Sequence, residues 1–358
     1  YNGTEQALVQ AGAASGGTMV YSLAEDGPYT PSIPTGKAVK GYTVWYKAQG
    51  DSNHNDSTPA SVTASIVKNT VTNPTIRVTP ESVTYNGKRQ EPTVTVQDDN
   101  GVIDGSEYTV TYQDEAGNSV DGPTNVGTYT LTITGVTDGN YTFDGTDGKN
   151  TAEFEILPAG QTPLTITGTR ERVYYGDTIQ LGTTGGNGTV TWQVDNGPAS
   201  IDKDTGLLTI TGVGSVTVTA TSKAVGYENK TATWPFRAEE KPVTAVVTVD
   251  SKTYDSNTDA TVTATLQSSD LVGSDDIKIK LSGSFEDPNA GANKKVTVDS
   301  TSPDFAGSTG SYQNYRITYP ATATASIFKA EVTDVILPTA VNNLEYTGLP
   351  LTLVAAGS

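Results

Sequence analysis

The chain has no cysteine, one histidine and one methionine among its 358 residues. The lack of thiols excludes disulfides, thiolate metal sites and a cysteine nucleophile. Its one imidazole, His54, has no second histidine with which to hold a metal. No run of about 18 apolar residues occurs, so no segment reads as a membrane-spanning helix. The N-terminus shows no basic-then-apolar leader pattern. Basic residues are scarce, 22 against 40 acidic, for a net charge of -18. A field of that sign repels phosphates and disfavours nucleic acid and anionic membrane as partners. Also missing are a P-loop, a dinucleotide glycine pattern, a G-x-S-x-G elbow and any stretch of about ten residues with a 3.6-residue apolar period.

What is present is strict alternation of threonine with β-branched or aromatic residues. "EYTVTYQ" (107–113), "GTYTLTITG" (127–135), "GSVTVTATS" (214–222) and "TAVVTVDS" (244–251) all show it. A period of two predicts strands with one wet and one dry face. Asn-Gly and Asp-Gly pairs such as Asn86-Gly87 and Asp138-Gly139 lie between them and accept the positive φ of tight turns. The expected class is all-β. Apolar residues make up 35% of the chain, which is low for one large globule and suits several small two-layer sheets.

A longer period overlies the short one. Tyrosine followed by a short polar or glycine turn recurs at Tyr1, Tyr85, Tyr175, Tyr254 and Tyr346, at intervals of 84, 90, 79 and 92 residues. Three further landmarks follow in fixed order. A glycine turn leads into an alternating strand; an aromatic lies beside or near asparagine (His54, Tyr141, Tyr227 and Tyr315 in these slots); and an Ala/Thr-rich strand closes the unit ("ASVTASIVK", "NTAEFEILP", "KTATWPFRA", "ATATASIFK"). Ordered landmarks at a fixed period identify a tandem array. With prolines at the seams, the units fall at 1–73, 74–160, 161–240 and 241–330, with 331–358 as the first strands of a further truncated repeat. The first unit lacks the lead strand that precedes the tyrosine in the others. That deficit would admit strand exchange with residues 331–358 of a second molecule.

Units of this size with about seven alternating strands fit immunoglobulin-like β-sandwiches. Joined end to end, each with its own interior, four would form an elongated rod on the order of 150 Å long.

At these landmarks the chain resembles bacterial surface repeat modules. "VTYNGKRQEPTVTV" with "NVGTYTLTITG" and "DGNYTF" resembles the MBG-type repeat of large adhesins, and the first unit is similar. "YYGDTIQL" with "ASIDKDTGLLTITGVGSVTVTAT" resembles bacterial Ig-like domains of intimin-type adhesins. "KTYDSNTDATVTATL" with "GSFEDPNAG" resembles the YDG module of haemagglutinin-like proteins. The resemblance implies an extracellular location, at the bacterial cell surface or secreted, and repeats that act as spacers.

Candidate chemistry is sparse. Nothing pairs two carboxylates in a cleft as glycoside hydrolysis requires, and no enzyme activity is expected. Asp144 and Asp147 in "DGTDG", and Asp202 and Asp204 in "DKDTG", have the oxygen ligands and glycines of calcium loops, yet the same residues form ordinary turns. A structural calcium ion is the only cofactor these loops could hold. His54 stands where other units carry tyrosine and reads as a structural aromatic. Lys68 and Lys329, at the ends of closing strands, could form Lys–Asn amide cross-links in place of disulfides. Trp192 alternates with Val190 and Val194 and reads as core, whereas Trp234, before Pro235, reads as a seam residue. Trp45 alternates with Tyr42, Val44 and Tyr46, so it falls on the outward face, where an indole could stack on a host glycan or glycoprotein. The sequence thus reads as a non-enzymatic stalk of an adhesin, bound mainly to its own neighbouring repeats. The alternatives are a carbohydrate- or host-protein-binding module, or ancillary domains of a large carbohydrate-active enzyme.

Overall fold

The computed structural model describes residues 1–354, apart from the side chain of Asp147. Over these residues the chain is all-β, with four single-turn 3₁₀ segments. It divides into two compact units: Tyr1–Thr162 with Gly186–Thr189 and Lys223–Lys230, and Pro163–Gly185 with Val190–Ser222 and Thr231–Ser358.

The first strands are β1 (Gln6–Ala7), β2 (Gly17–Ser22), β3 (Thr35–Gly36), β4 (Gly41–Gly50), β5 (Ala60–Ser65) and β6 (Asn69–Val71). β4 is the centre of an antiparallel β2-β4-β5 sheet, and β1 pairs with β3. Val20 of β2 and Val44 of β4 are buried beneath that sheet.

Next come β7 (Thr75–Thr79), β8 (Ser82–Thr84), β9 (Thr93–Asp98), β10 (Gly101–Ile103), β11 (Tyr108–Gln113), β12 (Ser119–Val120), β13 (Gly127–Gly135), β14 (Tyr141–Phe143) and β15 (Thr151–Leu157). They form a sandwich of a three-stranded sheet, β10-β9-β7, and a five-stranded one, β12-β11-β13-β15-β8. The period of two in β13 decides its faces: Tyr129, Leu131 and Ile133 are buried, while the threonines between them are not. Leu131 packs with Val78, Phe154 and Ile156, and Ile133 packs with Val96 and Ile103. Full burial of each such side chain is worth about 1.5–3 kcal/mol relative to exposure.

Residues 165–239 supply β16 (Thr165–Thr167), β17 (Val173–Tyr174), β18 (Thr178–Gln180), β19 (Gly182–Thr184), β20 (Thr189–Asn196), β21 (Ala199–Ile201), β22 (Leu207–Ile210), β23 (Gly214–Lys223) and β24 (Lys230–Glu239). A four-stranded sheet, β17-β24-β23-β20, faces a three-stranded one, β18-β22-β21. Trp192, Leu208, Ile210, Val216 and Val218 fill the space between them.

The last group is β25 (Lys241–Thr244), β26 (Val246–Val249), β27 (Lys252–Thr253), β28 (Asp259–Thr265), β29 (Lys278–Phe285), β30 (Gly291–Asp304), β31 (Tyr315–Thr318) and β32 (Thr322–Phe328). Six of these strands make one sheet, β26-β28-β29-β30-β32-β27, around Val262, Ile279, Phe285, Val296 and Ile327. Residues 331–354 are largely exposed and hold one bridge, Ala340 to Val354; 355–358 lie outside the described residues.

One topological device recurs. A short strand directly before or at the landmark tyrosine runs parallel to the closing strand, as β8 does to β15, β17 to β24 and β27 to β32.

Candidate functional site

The landmark tyrosines occupy equivalent places. The backbone N–H of Tyr85 donates to the Leu157 carbonyl at 2.8 Å, that of Tyr175 to Glu239 at 2.9 Å, and that of Tyr254 to Phe328 at 2.8 Å. The amine of Tyr1 donates to the Val67 carbonyl, also at 2.8 Å. Each tyrosine is thereby fixed at the end of its own closing strand. Two residues beyond that carbonyl, the chain pairs in parallel with the aromatic landmark of the following stretch: Asn69 with Tyr141, Ala159 with Tyr227, and Lys241 with Tyr315.

These two constraints bring tyrosines about 140 residues apart into contact. Tyr1 meets Tyr141 with ring centroids 5.4 Å apart and planes at 82°. Tyr85 meets Tyr227 at 5.7 Å and 77°, and Tyr175 meets Tyr315 at 5.4 Å and 88°. Edge-to-face geometry places the positive ring edge on the negative face of its partner, worth about 0.5–1.5 kcal/mol beyond the area buried. The first two junctions lie inside the first compact unit and the third inside the second.

Each junction has its own supplement, polar at the first and third and steric at the second. Lys68 donates its Nζ to the Thr137 carbonyl at 2.6 Å. Between Gly226 and Tyr85 there is no room for a side chain, because a Cβ on Gly226 would lie 2.1 Å from the Tyr85 ring; its φ of +82° also suits glycine. At the third junction the hydroxyls of Tyr175 and Tyr315 both donate to Oδ2 of Asp275, at 2.9 and 2.7 Å. The Tyr315 oxygen also accepts from the Val272 N–H at 2.8 Å. Burial, and after it the Asp275 carboxylate, pushes the Tyr315 phenol well above its ordinary value; Tyr175 is raised by the same causes. Tyr175 belongs to the buried cluster otherwise built from residues 243–327, with Val213 packed against it. The sequence reading gave each unit a wholly separate interior. The ring at this junction corrects that, because its backbone is tied to β24 while its side chain is buried beyond the closing strand.

The other candidates lie apart from the junctions. Trp45 is half-buried on β4, between Ser22 of β2 and Ser61 of β5 in the pairing register. Asp144 accepts from the Thr146 N–H at 3.0 Å and from its hydroxyl, and these bonds lower its pKa; the Asp147 side chain lies outside the described residues. Asp202 accepts from the backbone N–H groups of Thr205 at 2.8 Å and Asp204 at 3.0 Å, which lowers its pKa, while Asp204 accepts from Lys203 Nζ at 2.6 Å. Among the described residues no three His, Cys, Asp or Glu side chains converge as metal ligands would. His54 is exposed, with its Nδ1 2.7 Å from Asp51 Oδ1, and its ring covers Gly16. Trp192 is core, as its alternation implies. Trp234 is not a seam residue: it alternates with Ala232 and Phe236 along β24, packs against the same cluster and stacks on Phe236 at 4.2 Å.

A groove of about 900 Å³ runs between β7 and β15 and is lined by threonines, Arg77, Glu81, Glu153 and Glu155 with a few apolar side chains. No histidine lines it.

Residues 239–325 match the family model of the YDG domain. The match falls on the span that the "KTYDSNTDATVTATL" stretch singled out. No curated protein matches the chain. Among solved structures the chain is similar to surface layer protein SbsC, domains 1–6, at 14% identity and a TM-score of 0.22, covering 91% of this chain and 52% of that one. It is similar also to Drosophila N-cadherin EC1-4, at 11% identity and a TM-score of 0.22, covering 92% and 97%. A third is the C-terminal 282-residue fragment of intimin, solved with the intimin-binding domain of its translocated receptor, at 17% identity and a TM-score of 0.21, covering 59% and 62%. The chain thus spans about half the length of the surface-layer fragment.

Proposed function

We propose that this chain is a non-enzymatic spacer segment of a bacterial cell-surface or secreted adhesin, which holds distal binding regions away from their anchor. The observation that carries this reading is the junction. Three times, the same backbone bond, the same parallel pairing and the same edge-to-face tyrosine pair join the end of one closing strand to the next aromatic landmark. A chain that invests repeated, specific contacts in its joints is organised for spacing. The YDG match supports an adhesin-type module, and a net charge of -18 keeps such a segment solvated and unassociated.

Small-angle scattering on the intact chain tests the proposal. A spacer of end-to-end modules has a maximum dimension on the order of 150 Å and a radius of gyration of about 40 Å. A globule of the same length would have a radius of gyration of about 20 Å, and that result would sink the spacer reading.

A further inference from the structure

The fourth landmark tyrosine has the backbone setting of a junction and a far more exposed side chain than Tyr175. Tyr254 donates its N–H to the carbonyl of Phe328 as its three counterparts do to theirs, yet it is 42% exposed, whereas Tyr175 is 8% exposed against Tyr315. Ser256, two residues after Tyr254, has a φ of +73°, matching Gly3 and Gly87 after Tyr1 and Tyr85, at +77° and +73°. The strand edge beside it is equally bare. In the first junction Asn69 and Val71 pair with Tyr141 and Phe143, and in the third Lys241 and Val243 pair with Tyr315 and Ile317. Val71 and Val243 are buried there, while Val332, four residues after Phe328 as Val71 is after Val67 and Val243 after Glu239, is 81% exposed.

We infer that Tyr254, Ala330 and Val332 form a half-junction that docks a further β-module through an extended Tyr-x-apolar segment. The segment adds in parallel beside residues 330–332, its tyrosine opposite Ala330 and set edge-on to Tyr254, its apolar residue opposite Val332. The chemistry of the occupant is read from the two filled strand junctions, Tyr141-Thr142-Phe143 and Tyr315-Arg316-Ile317, and the surface is continuous in kind with an interface this molecule already makes three times. Backbone pairing supplies the affinity of such strand addition, and the tyrosine and apolar pockets supply its selectivity. The inference goes beyond the spacer reading, and its failure would leave that reading standing.

The cysteine-free chain permits a clean cross-linking test. The 358-residue chain carrying Val332→Cys is mixed with a synthetic peptide of residues 311–319 carrying Ile317→Cys, in a glutathione redox buffer. Val335→Cys serves as a control on the same exposed segment. The expected result is mixed-disulfide formation about ten-fold faster at position 332 than at 335, with the preference abolished by Tyr254→Ala in the chain or Tyr315→Ala in the peptide. Equal rates at 332 and 335, or a preference that survives Tyr254→Ala, would overturn the inference. So would rapid Val332→Cys homodimerisation that peptide does not compete away, which would assign the face to a second copy.

Discussion

Tyr175 and Tyr315 meet edge to face and send their hydroxyls to the same carboxylate oxygen of Asp275. The ring contact and the polar contact can be separated by substitution. Tyr315→Phe keeps the ring pair and removes the bonds to Asp275 and from the Val272 N–H. It should lower the unfolding free energy by about 1–3 kcal/mol, since it removes the acceptor of the Val272 N–H and one of the two donors to the Asp275 carboxylate. Tyr315→Ala also removes the ring and should cost about 3–5 kcal/mol. Urea titrations of the three proteins check the order; a Tyr315→Phe chain as stable as wild type would refute the polar contribution.

The same pair predicts an alkaline weakness. Burial and Asp275 raise the Tyr315 phenol above the ordinary value near 10, so at higher pH the folded state keeps a proton that the unfolded chain has released. The junction's contribution is therefore complete below about pH 10 and declines as pH rises past it. Above about pH 10 wild type should lose stability more steeply than Tyr315→Phe, which lacks one of the two raised phenols. Parallel slopes in melting experiments would contradict this.

At the second junction the sensitive residue is a glycine. Gly226→Ala places a methyl inside the Tyr85 ring and strains a backbone at φ +82°. A loss of about 1–3 kcal/mol is expected, comparable to overpacking a core. Tyr85→Ala in the same chain should recover part of that loss by vacating the space. Failure of the double variant to recover anything would place the strain elsewhere.

The tryptophans should differ sharply. Trp192→Ala empties a buried site between two sheets and should cost about 3–5 kcal/mol. Trp45→Ala, half-buried over serines of the neighbouring strands, should cost about 1 kcal/mol or less. Equal losses in thermal denaturation would mean that Trp45 supports a core of its own.

Acid should expose a single ion pair. Lys294, largely buried, donates to Asp287 at 2.8 Å, and this bond is the first cause of a lowered Asp287 pKa. Stability from a depressed carboxyl is present above its unfolded value near 4 and fades as pH falls through the folded value. Asp287→Asn should therefore be less stable than wild type at neutral pH and indistinguishable from it near pH 2. A gap that persists unchanged in acid would deny the linkage.

Much of this architecture can be read from local sequence, because a strand's two faces are set by alternate residues. "GTYTLTITG" buries Tyr129, Leu131 and Ile133 as written, and Trp192 follows its valines into the core. The order of landmarks was equally visible. Their purpose was not, since each junction joins residues about 140 positions apart and no short-range pattern says which tyrosine meets which. Asp275 carries no signal at all; it matters only because two rings converge on it. Pro235 reads as a breaker and points Trp234 to a seam, whereas its alternation with Ala232 and Phe236 turns it inward.

The parallel pairing of β8 with β15, β17 with β24 and β27 with β32 has a mechanical consequence. β8, β17 and β27 each lie at a sheet edge beside the closing strand, so tension drawn along that pair loads it in shear. Bonds loaded lengthwise must fail together, whereas a pulled hairpin peels open one bond at a time. On the spacer reading proposed above, tension along the chain would be met by all the bonds of a clasp at once.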